Sequence, residues 1–125
     1  MSRIFFSLGS LLAGLAVAAG AYGAHGGETI LSTDQVRWIA KAARYQMYHG
    51  LALIAVSWGI VNWPERARLF QTAGILFLLG IVFFSGSLYW MAFAGINLGY
   101  IVPAGGIALL IGWLVMAFAA VLKAK

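Results

Sequence analysis

The sequence QVRWIAKAARYQMYHG, from Gln35 to Gly50, combines charges, aromatic rings and an imidazole within one predicted helix. Successive residues of a helix are about 100° apart, so Arg37, Lys41 and Arg44 fall on one face and form a basic stripe. Three cations are costly in hydrocarbon but favourable beside lipid phosphate. The stretch therefore predicts an amphipathic helix at about residues 33–44 that lies along the membrane surface and either bends into a membrane span or continues as one.

The residues after this helix, HGLALIAVSWGIV, are apolar, and the whole chain is 63% hydrophobic and only 9% charged. A soluble domain is about a quarter charged, so this composition favours an integral membrane protein. Four apolar runs each approach the ~20 residues that a membrane-spanning helix needs. The predicted spans cover about residues 4–22, 45–63, 69–91 and 100–122.

These runs leave no room for a soluble domain, so residues 1–125 are predicted to form a single integral membrane domain. The first run is longer than the core of an ordinary signal peptide, and we expect it to be retained as a span. The short link NWPERAR makes the second and third spans antiparallel neighbours. The predicted fold class is an all-α membrane protein, with four transmembrane helices in an antiparallel bundle and one interfacial amphipathic helix between the first and second spans.

The net charge of +5 would suggest a nucleic-acid partner in a soluble protein. Here the Lys and Arg residues lie at the ends of predicted spans, where anionic lipid headgroups are found, so we expect membrane lipids as partners and no nucleic acid. On a four-span topology, one side of the membrane carries Arg3, Arg66, Arg68, Lys123 and Lys125, and the other carries Arg37, Lys41 and Arg44. The larger number of cations on the first side favours cytoplasmic termini.

Small residues recur at helical spacing in three of the spans and predict close helix packing. These seams are Gly9, Ala13, Ala16, Gly20 and Gly23 in the first span, Ala73, Gly80, Ser87 and Ala94 in the third, and Gly105, Ala108, Gly112 and Ala119 in the fourth. Ser32 followed three residues later by Gln35 is a capping-box pattern, and Asp34 suits the positive end of a helix. The amphipathic helix is therefore predicted to begin near Thr33.

Polar side chains gather towards one side of the membrane on this topology. The candidate polar pocket consists of His25, Tyr45, His49, Ser85, Ser87 and Tyr89. Two imidazoles can ligate a haem or a metal ion, or relay protons. An imidazole can also hydrogen-bond inside the bundle, and we favour this structural role for His49.

Enzymatic chemistry finds little support in these residues. A Ser–His hydrolase would need an acid from a flexible loop, and the sequence lacks a nucleophile-elbow motif. The chain has no cysteine, which excludes disulfides, thiolate catalysis and cysteine-ligated metal centres. We therefore expect no catalytic residues, no metal site and no cofactor.

Four motifs in the chain resemble those of a known family. They are GAYGAHG from Gly20, YQMYHGLAL from Tyr45, FSGSLY from Phe84 and PAGGIALLIGW from Pro103. In this order they are similar to the domain of unknown function 423 family, which includes small bacterial membrane proteins and the eukaryotic transmembrane protein 256. The resemblance implies four membrane helices and no established function, and it transfers no catalytic residues. We expect the protein to be integral to the bacterial inner membrane.

The sequence favours a non-enzymatic bundle that binds lipid or a partner through its basic helix and its apolar outer faces. A larger membrane complex and self-association are the protein partners considered. The alternative is a small transporter, channel or lipid-handling protein whose outward polar pocket surrounds His49, since helix bundles place binding sites between facing helices.

Overall fold

The computed structural model describes residues 1–26 and 30–122, and every regular element within these residues is helical. The α-helices are α1 (Ser2–Ala21), α2 (Thr33–Asn62), α3 (Ala67–Gly80), α4 (Gly86–Ala94) and α5 (Ile101–Val121). A π-helical turn, Tyr22–Gly26, extends α1; a 3-10 turn, Pro64–Arg66, precedes α3; and a second π-helical turn, Ile81–Ser85, joins α3 to α4. The predicted all-α class is confirmed. Lys123 and Lys125, which entered the charge comparison, lie outside the described residues.

Among the described residues, three helical segments are long and apolar enough to cross a membrane: Ser2–His25, Pro64–Ala94 and Ile101–Val121. They contain most of the first, third and fourth predicted spans. The predicted second span belongs to α2, which is much less apolar than the other long helices and is not one of the three.

The start of α2 follows the predicted capping box. The Ser32 hydroxyl accepts a hydrogen bond from the Gln35 backbone N–H at 3.2 Å, and the Gln35 side-chain oxygen accepts one from the Ser32 N–H at 2.7 Å. Asp34 lies in the first turn and pairs with Arg37 at 2.7 Å. The helix therefore begins at Thr33, as the sequence predicts.

Of the two predicted possibilities, a bend or a continuation near residue 44, the structure has the continuation: α2 is one helix of 30 residues, roughly 45 Å long. No Gly or Pro lies between Thr33 and His49 to end the helix. The buried face also continues across the boundary, from Ile39 and Ala42 to Gln46. The amphipathic segment is thus the first part of α2, where a change in polarity occurs without a change in backbone conformation.

The predicted seam of small residues in α1 packs against α2 in the antiparallel direction. A Cβ atom added to Gly9 would lie 2.5 Å from the Gly50 carbonyl oxygen, and one added to Gly23 would lie 3.0 Å from Ile39. Ala16, between them, is buried. The two helix backbones therefore approach closely along this seam, which only small side chains permit.

The other face of α2 packs against α3 and α4, again antiparallel. Phe70 occupies the space beside Gly59 near one end, and Gln35 bonds to Ala92 near the other. The main apolar core lies between these helices, α1 and α5. Its buried residues are Phe5, Ala52, Leu53, Val56, Phe70, Ala73, Phe77, Ile81, Leu109 and Ala119.

Helix α5 packs against α3 and the second π-helical turn through two of the predicted glycines. The Gly105 backbone meets the backbone of Phe83 and Phe84, and Gly112 lies against the Phe77 ring. A Cβ at Gly105 would collide with the Phe84 amide. The seam predicted in the fourth span is therefore a real contact surface, which joins α5 to the bundle.

Candidate functional site

The basic stripe of α2 is fully on the outside of the bundle. Arg37, Lys41 and Arg44 are all exposed, as their common helical face predicts. Arg37 is paired with Asp34, whereas Lys41 and Arg44 make no ion pair with any described residue. Two cations on this face are therefore available to an anionic group from outside the bundle.

An apolar groove of about 330 Å³ lies beside this stripe, between the second half of α1 and the first half of α2. It is lined by Ala16, Gly20, Gly23, Ala24, Val36, Ala40, Ala43, Arg44 and Met47. The lining side chains are mostly small because the α1 seam forms one wall. Arg44 is the one charged residue of the lining, so the groove combines an apolar floor with a single cation at its side.

The structure does not bring the six residues of the candidate polar pocket into one cavity. His25 is exposed, Tyr45 and Tyr89 are half-buried, and Ser87 is buried. Tyr45 and His49 share a cavity of about 330 Å³, whose other lining residues are Tyr48, Leu109, Leu110 and Trp113. The serines, Tyr89 and His25 do not line it.

His49 is buried and uses both ring nitrogens within the bundle. Its Nδ1 lies 2.6 Å from the Tyr45 carbonyl oxygen, and its Nε2 lies 3.0 Å from the indole Nε1 of Trp113. A carbonyl only accepts and an indole N–H only donates, so Nδ1 carries the proton and Nε2 accepts. The ring is therefore neutral and links α2 to α5. These two hydrogen bonds are of the kind expected from the structural role favoured for His49, and that role stays a prediction.

Gln46 makes the other buried polar link, and the sequence analysis missed it. Its amide nitrogen donates to the Leu12 carbonyl at 2.8 Å, and its amide oxygen accepts from the Tyr89 hydroxyl at 2.9 Å. One side chain thus joins α1, α2 and α4. The sequence did contain a signal, because Gln46 is a polar residue within the predicted second span and shares a helical face with Gly50 and Leu53.

Ser85 ends the second π-helical turn and donates its hydroxyl to the Ala42 carbonyl at 2.8 Å. Ala42 precedes His49 by seven residues, or roughly 10 Å along α2. The Ser85 hydroxyl and the His49 ring therefore form their hydrogen bonds at different heights along α2. This separation supports neither a Ser–His pair nor a shared pocket.

The side-chain hydrogen bonds between helices, within the described residues, all have α2 as one partner. They run from Gln35 to Ala92, from Gln46 to Leu12, from Ser85 to Ala42, from Tyr89 to Gln46 and from Trp113 to His49. Interhelical hydrogen bonds contribute to helix association where the hydrophobic effect between helices is weak. The polar side chains inside the bundle therefore act mainly as connections between α2 and its neighbours.

The family model described as "Protein of unknown function (DUF423)" matches residues 19–106. The UPF0382 membrane protein of Staphylococcus epidermidis is 45% identical over 118 residues, which are 94% of each chain. The UPF0382 membrane protein YwdK of Bacillus subtilis is 39% identical over 120 residues, which are 95% of this chain and 97% of YwdK. A UPF0382 membrane protein of Haemophilus influenzae is 38% identical over 119 residues, or 94% of each chain. No solved structure matches the chain.

These bacterial relatives are named as membrane proteins, and none of the names describes an enzyme. The helices that are long enough to cross a membrane agree with those names. From the family match and the identity along nearly the whole chain, we conclude that this protein belongs to the DUF423 family, whose curated bacterial members are called UPF0382 membrane proteins.

Proposed function

We propose that this protein is a non-enzymatic, lipid-binding helix bundle of the bacterial inner membrane, and that an anionic phospholipid occupies the groove between α1 and α2. The groove is the observation that carries the proposal. It offers an apolar floor for an acyl chain and the Arg44 guanidinium for the phosphate, while Lys41 stands on the same face one turn away. A guanidinium pairs well with phosphate because its N–H groups match the oxygen geometry.

The height of the stripe in the bundle supports this assignment. Helix α5 has 21 residues, or roughly 32 Å, which is about one hydrocarbon thickness. Its first turns meet Phe84 through Gly105, and the adjacent Ser85 bonds to Ala42. Lys41 and Arg44 flank Ala42, so they lie near the level at which α5 begins. Long basic side chains at that level reach the headgroups.

This placement requires α2 to stand upright as a fourth span, with its basic end at the membrane surface. We propose this fourth span because α2 packs antiparallel against the apolar segment Pro64–Ala94, which has a similar length. Both termini then lie on one side. The larger number of Lys and Arg residues on that side of the proposed topology favours the cytoplasm.

Single cysteines test the number of spans, because the natural chain has none. Asp34 lies in the first turn of α2 and Glu65 lies just after its last turn, so Asp34→Cys and Glu65→Cys mark opposite ends of the helix. With four spans, a membrane-impermeant maleimide labels Asp34→Cys from outside intact cells and reaches Glu65→Cys only after the membrane is opened. Labelling of both positions from the same side would contradict the fourth span.

Lipid binding is tested by native mass spectrometry of the detergent-purified protein with added dioleoyl phosphatidylglycerol or dioleoyl phosphatidylcholine. We expect tighter binding of phosphatidylglycerol, and a loss of this preference in Arg44→Gln. The matched control is Arg68→Gln, which removes an exposed charge that does not line the groove. Equal binding of the two lipids by the natural protein would contradict the proposal.

A second pair of variants tests the groove rather than the charge. Ala40 is exposed and lines the groove, so Ala40→Phe fills it without entering the core. Ala104 is exposed on α5 and lies outside the groove, and Ala104→Phe serves as the control. We expect Ala40→Phe alone to weaken the binding of phosphatidylglycerol.

The alternative, a transporter, channel or lipid-handling protein built around His49, receives less support. The proposed polar pocket would need free polar groups facing one cavity, but the His49 nitrogens are both bonded within the bundle. Gln46 and Tyr89 bond to each other. These groups are already paired, so a passing solute would have to displace an internal hydrogen bond.

A further inference from the structure

A cavity of about 410 Å³ lies at the opposite end of the bundle, between the start of α1 and the end of α2. It is lined by Ser2, Arg3, Phe6, Ser7, Ser57 and Val61. Its volume falls within the range of ordinary ligand sites, which is about 300–1,000 Å³. Unlike the groove beside Arg44, its lining includes three hydroxyls as well as a cation.

The Ser57 hydroxyl is the most informative group in this cavity. Ser57 is only 7% exposed, yet its hydroxyl makes no hydrogen bond to any described residue. On α1, by comparison, the Ser10 hydroxyl donates to the Phe6 carbonyl. The hydroxyl is not among the fully buried unpaired atoms, so it reaches the surface of the cavity, where a polar ligand can complete its hydrogen bonding.

The charges around the cavity favour an anion. Arg3 lines it and makes no ion pair within the described part of the chain. The first turn of α1 contains no acidic residue and has no side-chain cap, so its leading N–H groups and the positive end of a 20-residue helix face this end of the bundle. Backbone N–H groups, a guanidinium and hydroxyls together are typical of phosphate recognition.

The remaining walls distinguish a lipid from a small soluble anion. Phe6 and Val61 line the same cavity and are 53% and 64% exposed. A free phosphate gains nothing from these apolar surfaces, whereas the glycerol and upper acyl chains of a lipid would cover them. The cavity therefore suits a ligand with a phosphate head and an apolar body.

We propose that the cavity lined by Arg3 and Ser57 binds the phosphodiester group of a phospholipid, in the membrane leaflet opposite to the leaflet of the Arg44 groove. The site is separate from the groove and shares no lining residue with it. The molecule would then hold one lipid in each leaflet. The binding of either lipid does not depend on the other.

Native mass spectrometry with dioleoyl phosphatidylglycerol separates the two sites by counting bound lipids. The natural protein should retain two. Arg3→Gln with Ser57→Ala should weaken one of them about tenfold or more, the scale of a lost hydrogen bond to a charged group. Arg44→Gln should weaken the binding of the other lipid, and the triple variant should weaken the binding of both. Ser10→Ala is the matched control, since Ser10 is exposed and lies outside both sites.

Two further probes test whether the ligand needs both a phosphate group and acyl chains. Dioleoyl glycerol, which lacks phosphate, should not occupy the Arg3 cavity, and inorganic phosphate at millimolar concentration should not displace the lipid from it. Unchanged binding of both lipids in Arg3→Gln with Ser57→Ala would overturn the proposal, as would displacement by inorganic phosphate. If Arg44→Gln loses one lipid but Arg3→Gln with Ser57→Ala loses none, the proposed function stands and the second lipid site is refuted. Thermal melts of each variant confirm that it folds.

Discussion

Replacing His49 with leucine should destabilise the bundle through Trp113 rather than through lost packing. Leucine has a similar volume, so little cavity is formed, but the indole N–H that lies 3.0 Å from His49 Nε2 loses its acceptor. An unpaired buried donor costs about 1–3 kcal/mol. Since Trp113 is 43% exposed, we expect the lower half of that range, ~1–1.5 kcal/mol.

The double variant isolates the hydrogen bond itself. Trp113→Phe leaves His49 Nε2 without a donor, whereas His49→Leu with Trp113→Phe removes both partners and leaves neither unpaired. Interhelical hydrogen bonds in membranes contribute on average about 0.6 and at most about 1.7 kcal/mol, so we expect a coupling free energy in this interval. The free energies of unfolding are measured by titration with dodecyl sulfate from a mild detergent. Additivity of the two single variants would refute the assigned tautomer and the link between α2 and α5.

Two other substitutions test the helix contacts with the same unfolding titration. Gly105→Ala should cost about 1–3 kcal/mol, because its Cβ meets the Phe84 backbone, which cannot rotate away. Gly14→Ala, with no atom within 4 Å of the added Cβ, should instead stabilise α1 by about 0.5–1 kcal/mol; equal effects would contradict the packing of α5. Gln46→Leu should destabilise the bundle more than Tyr89→Phe, because it removes the links to both α1 and α4. A larger loss in Tyr89→Phe would contradict the central position of Gln46.

Local patterns allowed much of the fold to be predicted. The capping box at Ser32 depends on residues three apart, and the seam from Gly9 to Gly23 follows from helical spacing alone. The change in polarity near residue 44 did not decide between a bend and a continuous helix. The backbone has no helix-breaking residue there, and burial of Ile39 and Gln46 extends one helix across the change.

The seam predicted at seven-residue spacing in the third span is only partly buried. Ala73, Gly80 and Ser87 are buried, although a π-helical turn, Ile81–Ser85, lies between the last two. Ala94 is exposed because it is the last residue of α4, past the buried Ala92. Spacing alone does not show where the packed part of a helix ends.

The candidate site was only partly predictable for a different reason. The exposed basic stripe follows from spacing along one helix, and the groove beside Arg44 arises where that helix meets the small residues of α1. The partners of the polar residues depend on tertiary structure. Trp113 lies 64 residues from His49, and Tyr89 lies 43 residues from Gln46, so spacing along the chain carries no information about these pairs.

The location of a bound lipid tests the proposed function most directly. Phosphatidylglycerol with a photoreactive diazirine in its acyl chain is reconstituted with the protein in nanodiscs, and the cross-linked residues are identified by mass spectrometry. We predict that labelling is concentrated on groove residues such as Ala40 and Met47, and that it decreases in Arg44→Gln. Labelling spread evenly over lipid-facing residues, including the exposed α5 residues Leu110 and Phe118, would contradict specific binding between α1 and α2.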